Sequence, residues 1–241
     1  MSELDWLVAT PIAHRALHDL SAGRAENSWG AFEAAINAGY AIECDVQVSK
    51  TGEAVVFHDP VLGRMTGVDG LVREHTPEEL SKLRLAETED GIFTLQQHMD
   101  QVAGRVPVVV ELKGVEVEDA GLVENVAQVL SAYAGPCAVM SFDHHLCGQF
   151  AALMPRIPRG LTAQGGVDAA ADHEKAMTEF DLQFVSYSIH EIDLPFPQSI
   201  RAKGVPLVSW TVRSEEQGDR SLNHGAQMTF EGFLPALERR S

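Results

Sequence analysis

Apolar runs of strand length alternate along this chain with stretches whose apolar positions recur every three to four residues, a pattern that predicts strand and helix in turn. Residues 6–13 form a short apolar run ending at His14-Arg15 and read as a first buried strand with two polar side chains at its C-terminal end. After a loop over 16–27, Asn27 or Ser28 caps a helix with Phe32, Ala35 and Ile36 on one face, and Gly39 stands where a left-handed cap is expected. Residues 41–48 form the second strand, and Thr51-Gly52 turns the chain into a third that ends at His58. Alternate side chains of an extended strand share a face, so Glu43 and Asp45 project together while Cys44 turns away.

Beyond Pro60 the pattern loosens, broken by Gly63, Gly67, Gly70 and Gly91, and the segment to about Phe93 reads as an insertion. Within it Thr76-Pro77-Glu78-Glu79 is a helix start with a capping box and proline at the first helical position. Thr94 and Gln97 repeat that spacing for a helix running to Gly104, with Leu95, Met99 and Val102 on its apolar side. Residues 106–112 are a nearly unbroken β-branched run, as in a strand buried on both faces, and deliver Glu111 and Lys113 at its end. Strands follow over 137–142, 156–161, 183–188, 205–212 and 226–229; helices lie over 122–133, 143–153, 167–180, 195–203 and 214–223.

About eight strands with helices between them, in a chain of 241 residues, predict a single-domain TIM-type (β/α)8 barrel over 1–241, with a small insertion at about 60–93 after the second strand pair. A doubly wound sheet is the alternative, but no glycine-rich phosphate loop follows the first strand. In a barrel the C-terminal strand ends face one mouth, which would gather His14, Arg15, Glu43, Asp45, His58, Glu111 and Lys113. Paired acids on one strand face are either ordinary surface carboxylates or hard oxygen ligands for Mg²⁺ or Ca²⁺.

Charge narrows the partners. Eighteen Lys and Arg against 35 Asp and Glu leave a net charge of −17, which argues against nucleic acid, since no basic stripe would replace its counterions. A small anion needs only a local positive pocket. Cys44, Cys137 and Cys147 are odd in number and lack metal-ligand spacing, so they read as reduced packing residues. The first ten residues carry Glu3 and Asp5 and no apolar run of signal length, and no stretch elsewhere is long enough to span a bilayer. These features predict a cytoplasmic protein with no stable membrane insertion; a homo-oligomer is compatible with them.

Taken together, Ala13-His14-Arg15, Ala25-Glu26-Asn27-Ser28, Ile42-Glu43-Cys44-Asp45-Val46, Val55-Val56-Phe57-His58-Asp59, the Leu62-Gly63-Arg64-Met65-Thr66-Gly67 segment with Thr76 and Glu79-Leu80, Val110-Glu111-Leu112-Lys113 and Ser209-Trp210-Thr211-Val212 resemble the glycerophosphodiester phosphodiesterase family. The resemblance spans essentially the whole chain. It implies metal-dependent hydrolysis of a small-molecule glycerophosphodiester to glycerol 3-phosphate and an alcohol. It also implies that Glu43, Asp45 and Glu111 hold Mg²⁺ or Ca²⁺, that His14 and His58 are the acid–base pair, and that Arg15 and Lys113 bind the phosphate. Trp210 is either core or a wall of the leaving-group pocket, Lys113 either reaches the phosphate or pairs with Glu111 or Glu116, and Asp59 either orients His58 or ends its strand.

Three positions depart from the family pattern. Ala16 replaces the glycine usual after His-Arg, Ala25 the proline usual before Glu-Asn, and Met228-Thr229-Phe230-Glu231 the usual Asp-Pro-like ending. A Cβ at position 16 is expected to crowd the loop beside His14 or to force a different φ. Two other functions remain open from the sequence: a phospholipase D-like barrel acting on a lysolipid, and a barrel that binds a phosphorylated metabolite without turning it over.

Overall fold

In the computed structural model, which describes residues 4–114 and 121–237, parallel strands close into a barrel. They are β1 (Ile12–Ala13), β2 (Ala41–Val48), β4 (Val108–Leu112), β5 (Cys137–Ser141), β6 (Arg159–Ala163), β7 (Phe184–Ser188), β8 (Leu207–Val212) and β9 (Gln227–Phe230). The sheet runs β1-β9-β8-β7-β6-β5-β4-β2, and pairing of Ile12 with Ala41 and Ala13 with Ile42 closes it. One more strand, β3 (Ala54–Val56), lies antiparallel to β2 as its hairpin partner. Glu3 and Glu116 fall outside the described residues.

The alternation of β2 decides what faces where. Ala41 packs inside the barrel with Leu7, Ile12, Val109, Met140, Phe184 and Val208. Ile42, Cys44 and Val46 point the other way, into the shell between strands and helices. Glu43 and Asp45 share the parity of Ala41 and therefore stand inside the barrel, above the apolar plug. The expected first strand is shorter than its apolar run. Asp5–Val8 is a turn of 3-10 helix, and only Ile12–Ala13 pairs as strand. Leu7 of that turn, 1% exposed, fills the barrel floor instead of extending β1.

Helices cover the outside: α1 (Trp29–Ala38), α4 (Leu95–Val102), α5 (Leu122–Ala132), α6 (His144–Leu153), α7 (Ala170–Glu179), α8 (Pro195–Ala202) and α9 (Glu215–Asn223). The cap of α1 is Ser28, whose Oγ accepts from Ala31 N at 3.2 Å, and Gly39 ends the helix at φ 79°. Asn27 is freed for another task. Residues 57–94 connect β3 to α4 and carry two one-turn helices, α2 (Gly63–Thr66) and α3 (Pro77–Leu80), the second with the expected Thr76–Glu79 capping box. This segment has its own apolar cluster of Phe57, Leu62, Met65, Val72, Leu80, Leu85 and Ile92 against Val55 of β3. Gly91 is required there, because a Cβ would come within 2.1 Å of Ser81 O.

Helix α4 ends on Ala103, an exposed residue at φ 49° and ψ 37°, where a side chain gains no burial and carries the left-handed penalty. Ala103→Gly is therefore expected to stabilise the protein by about 1 kcal/mol, raising the thermal midpoint by roughly 2–4 °C. An unchanged or lower midpoint in a melting curve would contradict this.

Candidate active site

At the end of β1 the chain makes a left-handed turn, with Arg15 at φ 50° and Ala16 at φ 62°. The turn aims two consecutive amides at Glu43: Arg15 N donates to Glu43 Oε2 at 2.8 Å and Ala16 N to Glu43 O at 2.9 Å. Ala16 thus adopts the region that favours glycine, and its methyl is buried in the main core. The conformation needed to grip Glu43 persists without a glycine, at a cost of about 1–2 kcal/mol.

Register brings the acids together. Asp45 on β2 pairs with Glu111 on β4, and Glu43 lies two residues back on the same inward face. The three carboxylates offer oxygens all within 4.8 Å of one another, and all three residues are buried. Asn27 Nδ2 donates to Asp45 Oδ2 at 2.9 Å, so this residue positions an acid and does not cap α1. Lys113, just past β4, sets Nζ 2.7 Å from Glu111 Oε1 and 3.1 Å from Asp45 Oδ1. Arg15 Nε lies 3.5 Å from Asp45 Oδ2, while its Nη1 donates to Glu26 Oε1 at 2.9 Å.

Charge balance among these groups is incomplete, since three acids face two cations. Burial, with Asp45 and Glu111 close by, pushes the Glu43 carboxyl well above its usual range. Burial also raises Glu111, to about 7, despite Lys113. Asp45 is equally buried, yet Lys113, His58 and Arg15 hold it below the ordinary range. Glu43 Oε1 is buried without a hydrogen-bond partner, whereas Asp45 Oδ1 meets the Lys113 ammonium at 3.1 Å. An oxygen like Glu43 Oε1 is costly unless a proton or a cation meets it, and an all-carboxylate set of this size suits a hard divalent cation.

Both histidines flanking the acids are anchored through Nδ1. His14 Nδ1 lies 2.6 Å from Glu231 Oε2, and Arg213 Nε donates to Glu231 Oε1 at 2.7 Å. Burial lowers the pKa of His14, partly offset by that hydrogen bond, and His14 and His18 hold Glu231 far below the carboxylate range. On the other side His58 Nδ1 lies 2.6 Å from Asp59 Oδ1, and Arg64 of α2 donates to Asp59 Oδ2 at 2.5 Å and to Glu26 through both terminal nitrogens. Asp59 is therefore tied to the His58 ring. A carboxylate on Nδ1 fixes the tautomer that leaves Nε2 for chemistry.

A cavity of about 190 Å³ opens among these groups, lined by His14, Arg15, Glu43, His58, Glu111 and Lys113, with Met140, Phe142, Thr162 and Trp210 as walls. Trp210 Nε1 donates to Ser186 O at 3.0 Å and its ring meets Phe142 edge-on at 5.3 Å. All the residues singled out from sequence thus converge, Asp45 through its contacts with Lys113 and Arg15. Glu231, Glu26, Arg64 and Arg213 were given no role by sequence reasoning, although Glu26 and Arg64 lie in the family-like motifs and Glu231 in one of the departures. Only Glu231's place at the end of the last strand hinted at the mouth.

Fold and site together define a class: a (β/α)8 barrel whose mouth gathers three buried carboxylates, two imidazoles and two basic side chains. The chain belongs to the glycerophosphoryl diester phosphodiesterase family, whose model matches residues 14–230. It is 28% identical over 214 residues to a glycerophosphodiester phosphodiesterase of Caldanaerobacter subterraneus, covering 83% of this chain and 85% of the relative. Its fold matches that of an Oleispira antarctica phosphodiesterase solved with the product sn-glycerol-3-phosphate, with a TM-score of 0.84, 23% identity and 93% of each chain covered. It also matches a Thermotoga maritima glycerophosphodiester phosphodiesterase with a TM-score of 0.75, 23% identity and coverage of 92% and 94%. The chain is accordingly a hydrolase of glycerophosphodiesters, in a family that generally depends on a divalent metal. Among the described residues no helix is long and apolar enough to cross a membrane.

Proposed function

We propose that a single barrel domain spanning residues 1–241, with residues 60–93 as its insertion, cleaves a small glycerophosphodiester to glycerol 3-phosphate and an alcohol, with Glu43, Asp45 and Glu111 holding one Mg²⁺ or Ca²⁺. The observation that carries the reading is the buried carboxylate trio, with Glu43 Oε1 left unpartnered, beside two carboxylate-anchored imidazoles. A bound divalent cation supplies Lewis-acid neutralisation of the phosphoryl charge. Arg15 and Lys113 add charge-assisted hydrogen bonds to phosphate oxygens, and Lys113 stays protonated, because Asp45 and Glu111 outweigh the effect of its burial. His14, held mostly neutral at neutral pH by burial, suits removal of the proton from the attacking oxygen. Donation to the departing alkoxide then falls to His58. The bond from phosphorus to the alcohol oxygen breaks as the bond to the attacking oxygen forms. Trp210, with Phe142 against its edge, walls the side where the alcohol leaves. Three free buried cysteines support a cytoplasmic setting.

Incubation with glycerophosphocholine, with release of glycerol 3-phosphate read by a coupled assay, tests the reading. Turnover should vanish with EDTA and return when Mg²⁺ or Ca²⁺ is restored; turnover indifferent to EDTA would refute the metal role.

Stability should report the same ion. Because Glu111 is raised to about 7 without metal, the folded protein keeps a proton that the unfolded chain releases near 4.5. The protonated acid favours the fold below the unfolded value, and that contribution fades as pH climbs toward about 7, by roughly 3 kcal/mol at 1.36 kcal/mol per unit. A divalent cation takes the proton's place. The metal-induced rise in thermal midpoint is thus expected to be larger at about pH 8 than at about pH 5.5. Equal shifts at both would count against the trio as its ligands.

A further inference from the structure

On the side of His14 away from the carboxylate trio lies a second group of potential ligands. His14 Nδ1 stands 2.6 Å and His18 Nε2 3.6 Å from the same oxygen, Glu231 Oε2, and the three donor atoms all lie within 4.8 Å of one another. His18 Nε2 is buried and has no hydrogen-bond partner. A cavity of about 450 Å³ opens onto His18 and Glu231 of this group, lined also by Asp19, Ser21 and Arg24 and by none of the acidic trio, while His14 lines the neighbouring cavity. We propose that His14, His18 and Glu231 form a second cation site, for a transition metal of the Zn²⁺ type, and that filling it stops turnover.

Donor chemistry separates the two sites. Two imidazole nitrogens and one carboxylate oxygen are the set that Zn²⁺ or Co²⁺ takes with three protein ligands, whereas Mg²⁺ and Ca²⁺ keep to oxygen. Arg213 Nε occupies Glu231 Oε1 at 2.7 Å, which leaves Oε2 turned toward the imidazoles. That guanidinium and Arg24 of the cavity wall oppose a cation, while Glu231 and Asp19 favour one. An incoming ion claims His14 Nδ1 and Glu231 Oε2 at once and breaks the hydrogen bond between them. His14 then serves as a metal ligand and no longer as a freely titrating proton carrier. The inhibition rests on His14 having that part in the reaction; the site itself does not.

The test is a Co²⁺ titration of the whole protein in excess Mg²⁺, following visible absorption, for the wild type, His18→Ala and His18→Gln, with Zn²⁺ inhibition of glycerophosphocholine hydrolysis measured in parallel. His18 lies outside the catalytic machinery and its side chain is 23% exposed, so both variants should fold and keep basal activity. The expected result is a nitrogen-ligated Co²⁺ band in the wild type that both variants lose, and Zn²⁺ inhibition needing about 100-fold more metal once His18 is replaced. Absorption unaffected by either substitution would overturn the site. Equal Zn²⁺ sensitivity in all three proteins, or a Co²⁺ band without Zn²⁺ inhibition, would overturn its effect on turnover. If no hydrolysis occurs in any protein, the spectral titration still decides the site, and the failure belongs to the assigned reaction.

Discussion

His14→Ala is expected to lower turnover of glycerophosphocholine by about 10²- to 10⁴-fold, the usual worth of a positioned proton carrier, and His58→Ala by a similar factor. Both variants should remain folded, for a reason visible in the charge pairs. Glu231 keeps Arg213 Nε at 2.7 Å when His14 is gone, and Asp59 keeps Arg64 Nε at 2.5 Å when His58 is gone. Neither deletion strands an unpaired carboxylate, so the large penalty for an orphaned buried charge does not arise. Steady-state kinetics beside circular dichroism and a melting curve check the prediction. Wild-type kinetics in both variants would remove the acid–base assignment, whereas loss of activity together with loss of fold would show the rings to be structural.

Glu43→Gln carries the second large effect, and its two readouts move in opposite directions. Glu43 is 1% exposed, faces two other carboxylates and has one oxygen unpartnered. A neutral amide of the same shape still accepts the hydrogen bond from Arg15 N and no longer repels Asp45 and Glu111. The metal-free protein should therefore gain about 1–3 kcal/mol of stability, the scale attached to relieving a buried ionisable group. Activity should fall by roughly 10³-fold, because Lewis-acid stabilisation of the transition state is worth several kcal/mol. The metal-induced rise in thermal midpoint should disappear with it. A variant that loses stability without metal, or that keeps its response to Mg²⁺ or Ca²⁺, would show that Glu43 is not the strained member of a cation site. The predicted pair of outcomes would mark a functional site held against the preference of the fold.

Much of the barrel could be read along the chain because its strands obey period two and its helices period 3.6, and both repeats are local. Glu43 and Asp45 were legible as a pair for that reason: Ile42, Cys44 and Val46 take the opposite face. The stretch at residues 6–8 was misread, because an apolar run gives no sign of whether it extends a strand or folds back as a 3-10 turn to close the barrel floor; packing of Leu7 decided it. Of the two candidate caps, Asn27 and Ser28, the structure uses Ser28.

What sequence determined by itself was the alternation of elements, the shared face of Glu43 and Asp45 and the set of motifs that marks the family. What only tertiary structure decided was which charges meet: Glu231 with His14 across 217 residues, Arg64 with both Glu26 and Asp59, and Lys113 with Asp45 and Glu111. Periodicity follows from the geometry of a single strand or helix and is written into neighbouring residues. An ion pair follows from where barrel closure sets two distant strand ends, and no local pattern in the chain carries that distance.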